Sequence, residues 1–407
     1  MRTAAFLYPW DVVGDPEAAG RIAALGVQQV TLASAYHSTR ALTPRHPRHR
    51  IVTARHAAVL YPPDAARWAG RDLRPYTQDW MAAEDPFDEA ARALADAGLE
   101  VHTWVVLAHN SRLGADHPSS VVRNAYGDPY PWAPCIARPE VRAYLVDLAA
   151  EAAVRPGARG TELESCGWYG MAHLHGHDKT GGVPLSGATQ YLMSLCFCTV
   201  CAAGYAGLGL PAEELRAAVR GALRPLWAGG GAPHGAPGRA GEWDTIEALL
   251  GEERAGVVRA WRDRAAATLR RAAVSAVREA AAGEFRVLLH ADPAAHRCGA
   301  NVGVDPADVF AHTDGVVVPC TGDDAARADA LGPFAAHRGT GTVAANLTVV
   351  SGMGGSPGTL AGDAAHAASL GAGELRLYHA GLAGEGDLTA VREALRGLAD
   401  PSARTPS

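Results

Sequence analysis

Short apolar runs recur eight times along the chain, and amphipathic segments separate most of them. Alternation within the runs is typical of strands, and the 3.6-residue period of segments such as residues 139–153 is typical of helices. The runs cover residues 3–10, 27–37, 99–110, 160–165, 285–293, 314–322, 341–350 and 373–381.

Strands that alternate with helices pair in parallel through right-handed crossovers. Eight such units predict an α/β fold, a (β/α)8 TIM barrel. A doubly wound open sheet is the alternative, but no glycine-rich phosphate loop follows the first run, which disfavours it.

The spacing of the runs is uneven. The last four recur about every thirty residues, whereas 170–283 predict a mostly helical insertion between strands 4 and 5, with helices at 187–206, 211–225 and 242–282. We expect residues 1–400 to form one catalytic barrel and 401–407 to be a disordered tail.

Composition narrows the function classes. The 407 residues are 48% hydrophobic and 20% charged, with a net charge of −6. This charge gives no electrostatic case for nucleic acid or an anionic membrane as partner. No export signal or membrane-length run is present, so we expect a cytoplasmic protein that acts on a small molecule; a homodimer is left open.

Two carboxylates share one face of the fourth predicted strand. Glu162 and Glu164 are separated by Leu163, and alternation directs both to the same side. Glu164 lies at the strand's carboxyl end, where barrel enzymes place their chemistry, so it is the candidate general acid. The alternative for the pair is an interior salt bridge.

Glycoside hydrolysis ordinarily needs a second carboxylate. Asp292, at the end of the fifth run, is the leading candidate, with Glu162 next and Asp11 weaker; a turn or helix cap before Pro293 is the alternative role for Asp292. A retaining barrel glycosidase would usually place its nucleophile at the end of the seventh strand, but the seventh run ends without an acid. An inverting or substrate-assisted reaction is therefore favoured over a retaining one.

The segment that follows Glu164 is rich in histidine. His173, His175 and His177 alternate, which suits a divalent metal with Glu164 as a further ligand, or hydrogen bonds to sugar hydroxyls or phosphate. Lys179, the chain's only lysine, is a candidate substrate contact or proton-transfer group. A solvated loop is the alternative for this segment.

Cys196, Cys198 and Cys201 have C-x-C-x2-C spacing, which suits a structural zinc whose fourth ligand would be a histidine or Cys166. Free thiols at a helix start are the alternative. The other cysteines, among them Cys135, show no pattern.

Aromatic and hydrogen-bonding side chains follow several predicted strands, as in the walls of sugar sites. The candidate substrate contacts are Trp10, Tyr36, His37, Arg40, Trp104, His109, Asn110, Trp168 and Tyr169. For Trp104, a place in the hydrophobic core is an equally good interpretation.

Four motifs in residues 1–205, namely "AYHSTRALTPRHPRHR", "VVRNAYGDPYPWAPCIARPEVRAYL", "ELES" and "LCFCTVC", together resemble an actinobacterial, glycoside-hydrolase-like barrel family, mostly of unassigned activity. The resemblance implies a (β/α)8 fold, Glu164 as the acid and the three cysteines as a shared feature. It maps a His- and aromatic-rich stretch onto Trp168, Tyr169, His175 and His177.

These observations predict an enzyme, a glycoside hydrolase that acts on a small glycoside and requires no cofactor for catalysis. A metal-dependent lyase, isomerase or hydrolase that uses the histidine segment with Glu164 is one alternative. A non-catalytic sugar-binding barrel is the other.

Overall fold

A computed structural model describes residues 1–171, 178–230, 239–337 and 339–399. Eight strands form its centre, and each coincides with one of the predicted apolar runs. They are β1 Arg2–Leu7, β2 Gln29–Tyr36, β3 Glu100–Val106, β4 Gly160–Glu164, β5 Arg286–Asp292, β6 Gly315–Pro319, β7 Thr342–Thr348 and β8 Glu374–Tyr378.

The strands pair in chain order, all in parallel, and the last returns to the first. The closing pair aligns Arg2 with Glu374 and Ala5 with Leu377. The sheet is therefore a closed eight-stranded barrel, which confirms the predicted (β/α)8 fold.

Thirteen α-helices lie in the described residues. They are α1 Ala18–Ala23, α2 Pro86–Asp96, α3 Ser111–Asp116, α4 Pro139–Ala153, α5 Gly187–Met193, α6 Thr199–Ala206, α7 Ala212–Trp227, α8 Glu242–Leu250, α9 Glu252–Ala280, α10 Pro306–His312, α11 Asp324–Leu331, α12 Leu360–Ser369 and α13 Glu385–Ala399.

Five of these helices, α5 to α9, lie between β4 and β5, which confirms the helical insertion. Two of its predicted helices are each divided in two. Gly251 ends α8 with a φ of +83°, a left-handed conformation that glycine adopts without steric cost and that a continuous helix does not contain. Residues 194–198 separate α5 from α6. The predicted tail, 401–407, lies outside the described residues.

Short strand pairs decorate the loops at the carboxyl ends of the barrel strands. Thr39–Leu42 pairs antiparallel with Ile51–Ala54 after β2, and Val121–Arg123 pairs with Pro129–Pro134 after β3. Ala58–Val59 adds to β2. Long loops at this end of a barrel build active sites, so the first half of the barrel carries most of the material for one.

Aromatic and aliphatic side chains occupy different sides of the barrel interior. Phe6, Tyr8 and Trp104 form an aromatic cluster on the side of β1 to β3, whereas Leu288, Val317 and Ala344 fill the side of β5 to β7. Charged side chains of β4 and β8 lie buried between them. None of the described helices combines the length and the apolar character needed to cross a membrane.

Candidate active site

Glu164 is the last residue of β4, and its side chain is 4% exposed. The indole Nε1–H of Trp104, on the neighbouring β3, donates to Glu164 Oε2 over 2.9 Å. The hydroxyl of Tyr378, the last residue of β8, donates to the same oxygen over 3.4 Å. Two donors from different strands therefore fix one carboxyl oxygen at the mouth of the barrel.

The backbone beside this carboxyl is strained. Ser165 and His379 follow the last residues of β4 and β8, and they are the only non-glycine residues with positive φ in the described parts of the chain, at 56° and 60°. Such backbone costs on the order of 1–3 kcal/mol per residue and is concentrated at functional sites. His379 is also tied to the interior, because its Nδ1 lies 2.9 Å from the hydroxyl of Tyr8.

An aromatic wall adjoins Glu164. Tyr36 meets the ring of Trp104 edge-on with centroids 4.7 Å apart, and its hydroxyl receives a hydrogen bond from Tyr8 over 3.0 Å. Trp10 stacks on Tyr8 at 4.5 Å. The predicted contacts Trp10, Tyr36 and Trp104 thus belong to one cluster, held together by Tyr8.

The wall continues through His37, which stacks on Tyr36 with centroids 4.2 Å apart. The ring of His109 lies 4.8 Å from His37 and 4.5 Å from Tyr169, on which it stacks. A small cavity of about 20 Å³, lined by Tyr36, His109 and Asn110 among others, lies here. Its size suits about one water molecule.

Burial sets the charge states of this wall. It raises the pKa of Tyr36, Tyr169 and Tyr378, and the nearby Glu164 carboxylate raises each further. Burial lowers the pKa of His37, against the opposing influence of the Ser38 carbonyl and of Glu164. The wall therefore offers neutral phenols and, at His37, a neutral imidazole, which suit hydrogen bonds to uncharged hydroxyl groups.

The other predicted contacts make different interactions. Trp168 donates its indole N–H to the backbone carbonyl of Arg262 on α9 over 2.9 Å, and Arg262 covers its ring at 4.6 Å. Asn110 caps α3 by accepting from the Leu113 amide over 3.0 Å. Arg40 and Lys179 are exposed. The remaining predicted contacts, His173, His175 and His177, lie outside the described residues.

Glu162 lies deeper in the barrel and is fully buried. The guanidinium Nε of Arg376, on β8, donates to its Oε1 over 2.6 Å. Burial would raise the pKa of Glu162, but Arg376 and then His290 outweigh it and lower the pKa to about 2. Of the two roles the sequence left open for Glu162, the interior ion pair is the one present here.

Asp292 ends β5 and occupies a turn. Its Oδ1 accepts from the Ala294 amide over 2.9 Å, and Arg239 forms an ion pair with its other oxygen. Asp292 therefore has the turn-stabilising contact that the sequence offered as its alternative role, together with an ion pair to Arg239.

Asp11, the weaker candidate, follows β1. It accepts from the Tyr8 amide over 2.9 Å. Burial raises its pKa to about 7, against the opposing effects of that hydrogen bond and of Arg45. Gly381 packs so closely on this carboxyl that a Cβ there would lie 1.7 Å from Asp11 Oδ2.

Sequence reasoning missed four residues of the site: Tyr8, His290, Arg376 and Tyr378. Their signal was present, because Arg376 and Tyr378 alternate with leucines in β8 as Glu162 and Glu164 do in β4. The sequence prediction did not extend this alternation to the charged and aromatic residues of the later strands, so it did not place them in the barrel interior.

Four buried thiols form a separate cluster. The sulfur of Cys135 lies 3.6 Å from that of Cys196 and 3.7 Å from those of Cys198 and Cys201. The four can hold a metal ion, since all their sulfurs lie within 4.8 Å of one another. The fourth sulfur is thus that of Cys135, not Cys166 or a histidine as expected, because the hairpin strand Pro129–Pro134 ends beside the start of α6.

The fold and site define a (β/α)8 barrel with a buried carboxyl and an aromatic wall at its carboxyl end. No protein-family model matches the chain, and no curated protein does.

Solved structures do share the fold. The glycoside hydrolase domain of PgaB (BpsB) from Bordetella bronchiseptica matches with a TM-score of 0.54 and 15% identity, over 97% of this chain and 98% of that one. Alpha-L-fucosidase isoenzyme 2 from Paenibacillus thiaminolyticus matches with 0.56 and 12%, over 99% and 50%. The β-galactosidase from the psychrophilic Marinomonas ef1 matches with 0.53 and 13%, over 98% and 60%.

The chain therefore spans about half of the fucosidase and 60% of the galactosidase. At these identities the likeness establishes the barrel fold. It supplies no residue-level evidence for the reaction, and the actinobacterial family resemblance remains a prediction.

Proposed function

We propose that this protein is a glycoside hydrolase that acts on a small glycoside, with Glu164 as its general acid. The observation that carries the proposal is the placement of the Glu164 carboxyl, buried at the carboxyl end of β4 and held on one oxygen by Trp104 and Tyr378. The barrel fold shared with several glycoside hydrolases supports the same class.

In this reaction the Glu164 carboxyl transfers its proton to the glycosidic oxygen as the bond between that oxygen and the anomeric carbon breaks. Asp292, which ends β5 at the same face of the barrel and pairs with Arg239, activates the attacking water by accepting its proton. Glu162 does not fill that role, because it is fully buried and engaged by Arg376.

The aromatic wall holds the sugar. Aromatic faces pack against the C–H surfaces of pyranose rings, and neutral imidazole and phenol groups exchange hydrogen bonds with hydroxyls. Trp10, Tyr36, His37, His109 and Tyr169 are the residues to which we assign these contacts. No step of this reaction requires a cofactor.

The experiment is a screen of purified protein against alkyl and aryl glycosides of both anomeric configurations, followed by Glu164→Gln. We expect turnover of at least one glycoside and a loss of kcat of about 10²-fold or more in the variant, because glutamine keeps the shape but has no proton to transfer.

The chain offers a matched control for this substitution. Glu151 on α4 is also buried and also accepts from an indole N–H, that of Trp68 over 2.8 Å, and from a phenol, that of Tyr61 over 3.2 Å. Glu151→Gln reproduces the loss of a buried carboxylate away from the barrel mouth. Equal losses in the two variants, or no turnover of any glycoside by the wild type, would contradict the proposal.

We further propose that the four-cysteine cluster binds a structural zinc. A tetrahedral zinc with Zn–S distances of about 2.3 Å places its sulfurs roughly 3.8 Å apart. The distances from Cys135 to the other three sulfurs, 3.6–3.7 Å, match this spacing. The ion would join the loop after β3 to the helical insertion, and it would take no part in catalysis.

A further inference from the structure

Ionisable side chains form a continuous row across the barrel, half-buried at its start and fully buried farther in. Arg286, near the amino ends of the strands, contacts Glu374 over 2.8 Å, and Glu374 contacts Arg376 over 2.9 Å. Arg376 contacts Glu162 over 2.6 Å. Positive and negative charges alternate along this part of the row, so Arg286 compensates Glu374 and Arg376 compensates Glu162.

The row ends at His290 and Glu164. His290 is 1% exposed, on β5, between the two carboxylates of β4. Its Nε2 lies 3.7 Å from Glu162 Oε2, and its Nδ1 lies 3.8 Å from Glu164 Oε2. These are ion-pair distances, longer than hydrogen bonds.

The other contacts of His290 among the described residues add no further charge. Phe6 of β1 meets its ring edge-on at 5.6 Å, and Trp104 and Tyr378 reach Glu164 as neutral donors. His102 of β3 is engaged by Glu100 near the opposite end of the barrel. His290 is therefore the ionisable side chain that these contacts place beside Glu164.

We propose that His290 is a positioning residue that directs its Nε2–H at Glu162 and thereby turns its Nδ1 toward Glu164. The proposal rests on the proposed function for its catalytic consequence, not for its structural content.

The orientation of the imidazole follows from its neighbours. Glu162 Oε2 and His290 Nε2 are both buried, and neither has a hydrogen-bond partner among the described residues. A bare Nε2 would direct its lone pair at the carboxylate oxygen. A protonated Nε2 is a donor facing an acceptor, and it leaves Nδ1 facing Glu164.

In catalysis this arrangement orients the Glu164 carboxyl that carries the proton. The proton leaves Glu164 for the glycosidic oxygen as the C–O bond breaks, and the carboxylate that remains lies beside the imidazole. A solvent proton then returns to Glu164, so protons balance over the cycle. Glu162 and Arg376 act only through His290, by fixing its ring.

The first test needs no substrate. Protein labelled with 15N-histidine reports which ring nitrogen carries a proton, and the His290 signals are assigned by their absence in His290→Gln. We expect a protonated Nε2 at pH 7, and a shift of the Nδ1 signal in Glu164→Gln. The signals of His46, a buried histidine outside the row, should be unchanged.

A bare Nε2 in the wild type, or an Nδ1 signal identical in wild type and Glu164→Gln, would overturn the proposal. This outcome is distinct from failure of the proposed function, which would appear as absence of glycoside turnover with the ring protonation as predicted.

The second test compares two variants on a turned-over glycoside. His290→Leu should lower kcat by about tenfold or more with little change in KM, and His290→Gln, whose amide can still donate to Glu162, should recover part of the loss. His46→Gln controls for loss of a buried imidazole. Equal kcat in the leucine and glutamine variants would refute the positioning role.

Discussion

Glu162 and Glu164 are two residues apart on β4, yet their surroundings give them different chemistry. Arg376 compensates Glu162 directly, whereas the contacts of Glu164 among the described residues include an indole N–H, a phenol and a more distant imidazole. The first carboxylate is therefore fixed as an ion, and the second has no arginine partner among these contacts.

Glu162→Gln leaves the buried Arg376 without its nearest partner. We expect this to lower the free energy of unfolding at pH 7 by about 3–5 kcal/mol, as for other broken buried ion pairs. Urea denaturation measures it, with Glu213→Gln as the control, since Glu213 pairs with Arg216 on the surface and such pairs contribute about 0–1 kcal/mol. A loss in Glu162→Gln no larger than in the control would contradict the account.

The same ion pair predicts acid sensitivity. The folded-state pKa of Glu162, about 2, is below the usual value for glutamate of 4.5. Its stabilising contribution is therefore present above about pH 4.5 and is lost as the pH falls toward 2. Glu162→Gln should flatten the decline of stability over that window, and an unchanged slope in acid denaturation would count against the assignment.

The pKa shift of Asp11 has the opposite sign to that of Glu162. Its folded-state pKa of about 7 is above the usual aspartate value of 3.8, so its contribution is favourable below about pH 4 and is lost as the pH rises to 7. Asp11→Asn, which resembles the protonated form, should raise Tm relative to wild type at pH 7.5 more than at pH 4. A Tm difference independent of pH would be inconsistent with this prediction.

At the scale of elements, the sequence predicts all eight barrel strands because each is buried on both faces or alternates strictly between a polar interior and an apolar exterior. Helix ends were less predictable. Gly251 interrupts a pattern that is otherwise continuous over 242–282, since a single positive φ does not disturb the apolar period around it.

The four-thiol cluster shows why part of the site could not be predicted. Cys196, Cys198 and Cys201 are close in sequence and carry a local motif, whereas Cys135 is 61 residues from Cys196 and joins them only through the fold. His290 and Glu164 are likewise brought together by the pairing of β4 with β5. Contacts between distant segments leave no local pattern in one chain.

Cys135→Ser tests the metal proposal at this scale. We expect one zinc per chain in the wild type by elemental analysis, and loss of zinc in the variant, because the site would retain three thiolates. Cys320→Ser removes a buried thiol outside the cluster and should keep the metal. Equal zinc content in both variants, or a wild type purified with zinc available that contains none, would contradict the proposal.

At the scale of the whole molecule, the chemistry is concentrated at the mouth of the barrel, where β1 to β4 supply the aromatic wall and Glu164, and β5 and β8 supply Asp292, His290 and Tyr378. The barrel fold and the position of Glu164 at a strand's carboxyl end were predictable from strand count and alternation. The hydrogen-bond donors to Glu164 were not predictable, because a tryptophan inside an apolar run, such as Trp104, is equally typical of a core, and Tyr378 comes from the last strand. The sugar that the aromatic wall accepts is set by contacts that no local motif encodes.

The most direct test of the central claim, that Glu164 supplies the proton, compares two glycosides of the same sugar with different leaving groups. A nitrophenolate departs without protonation, whereas an alkoxide does not. Glu164→Gln should therefore lower kcat/KM by about 10²-fold or more on the alkyl glycoside and by much less on the 4-nitrophenyl glycoside. Equal losses on the two substrates would show that Glu164 is not the acid.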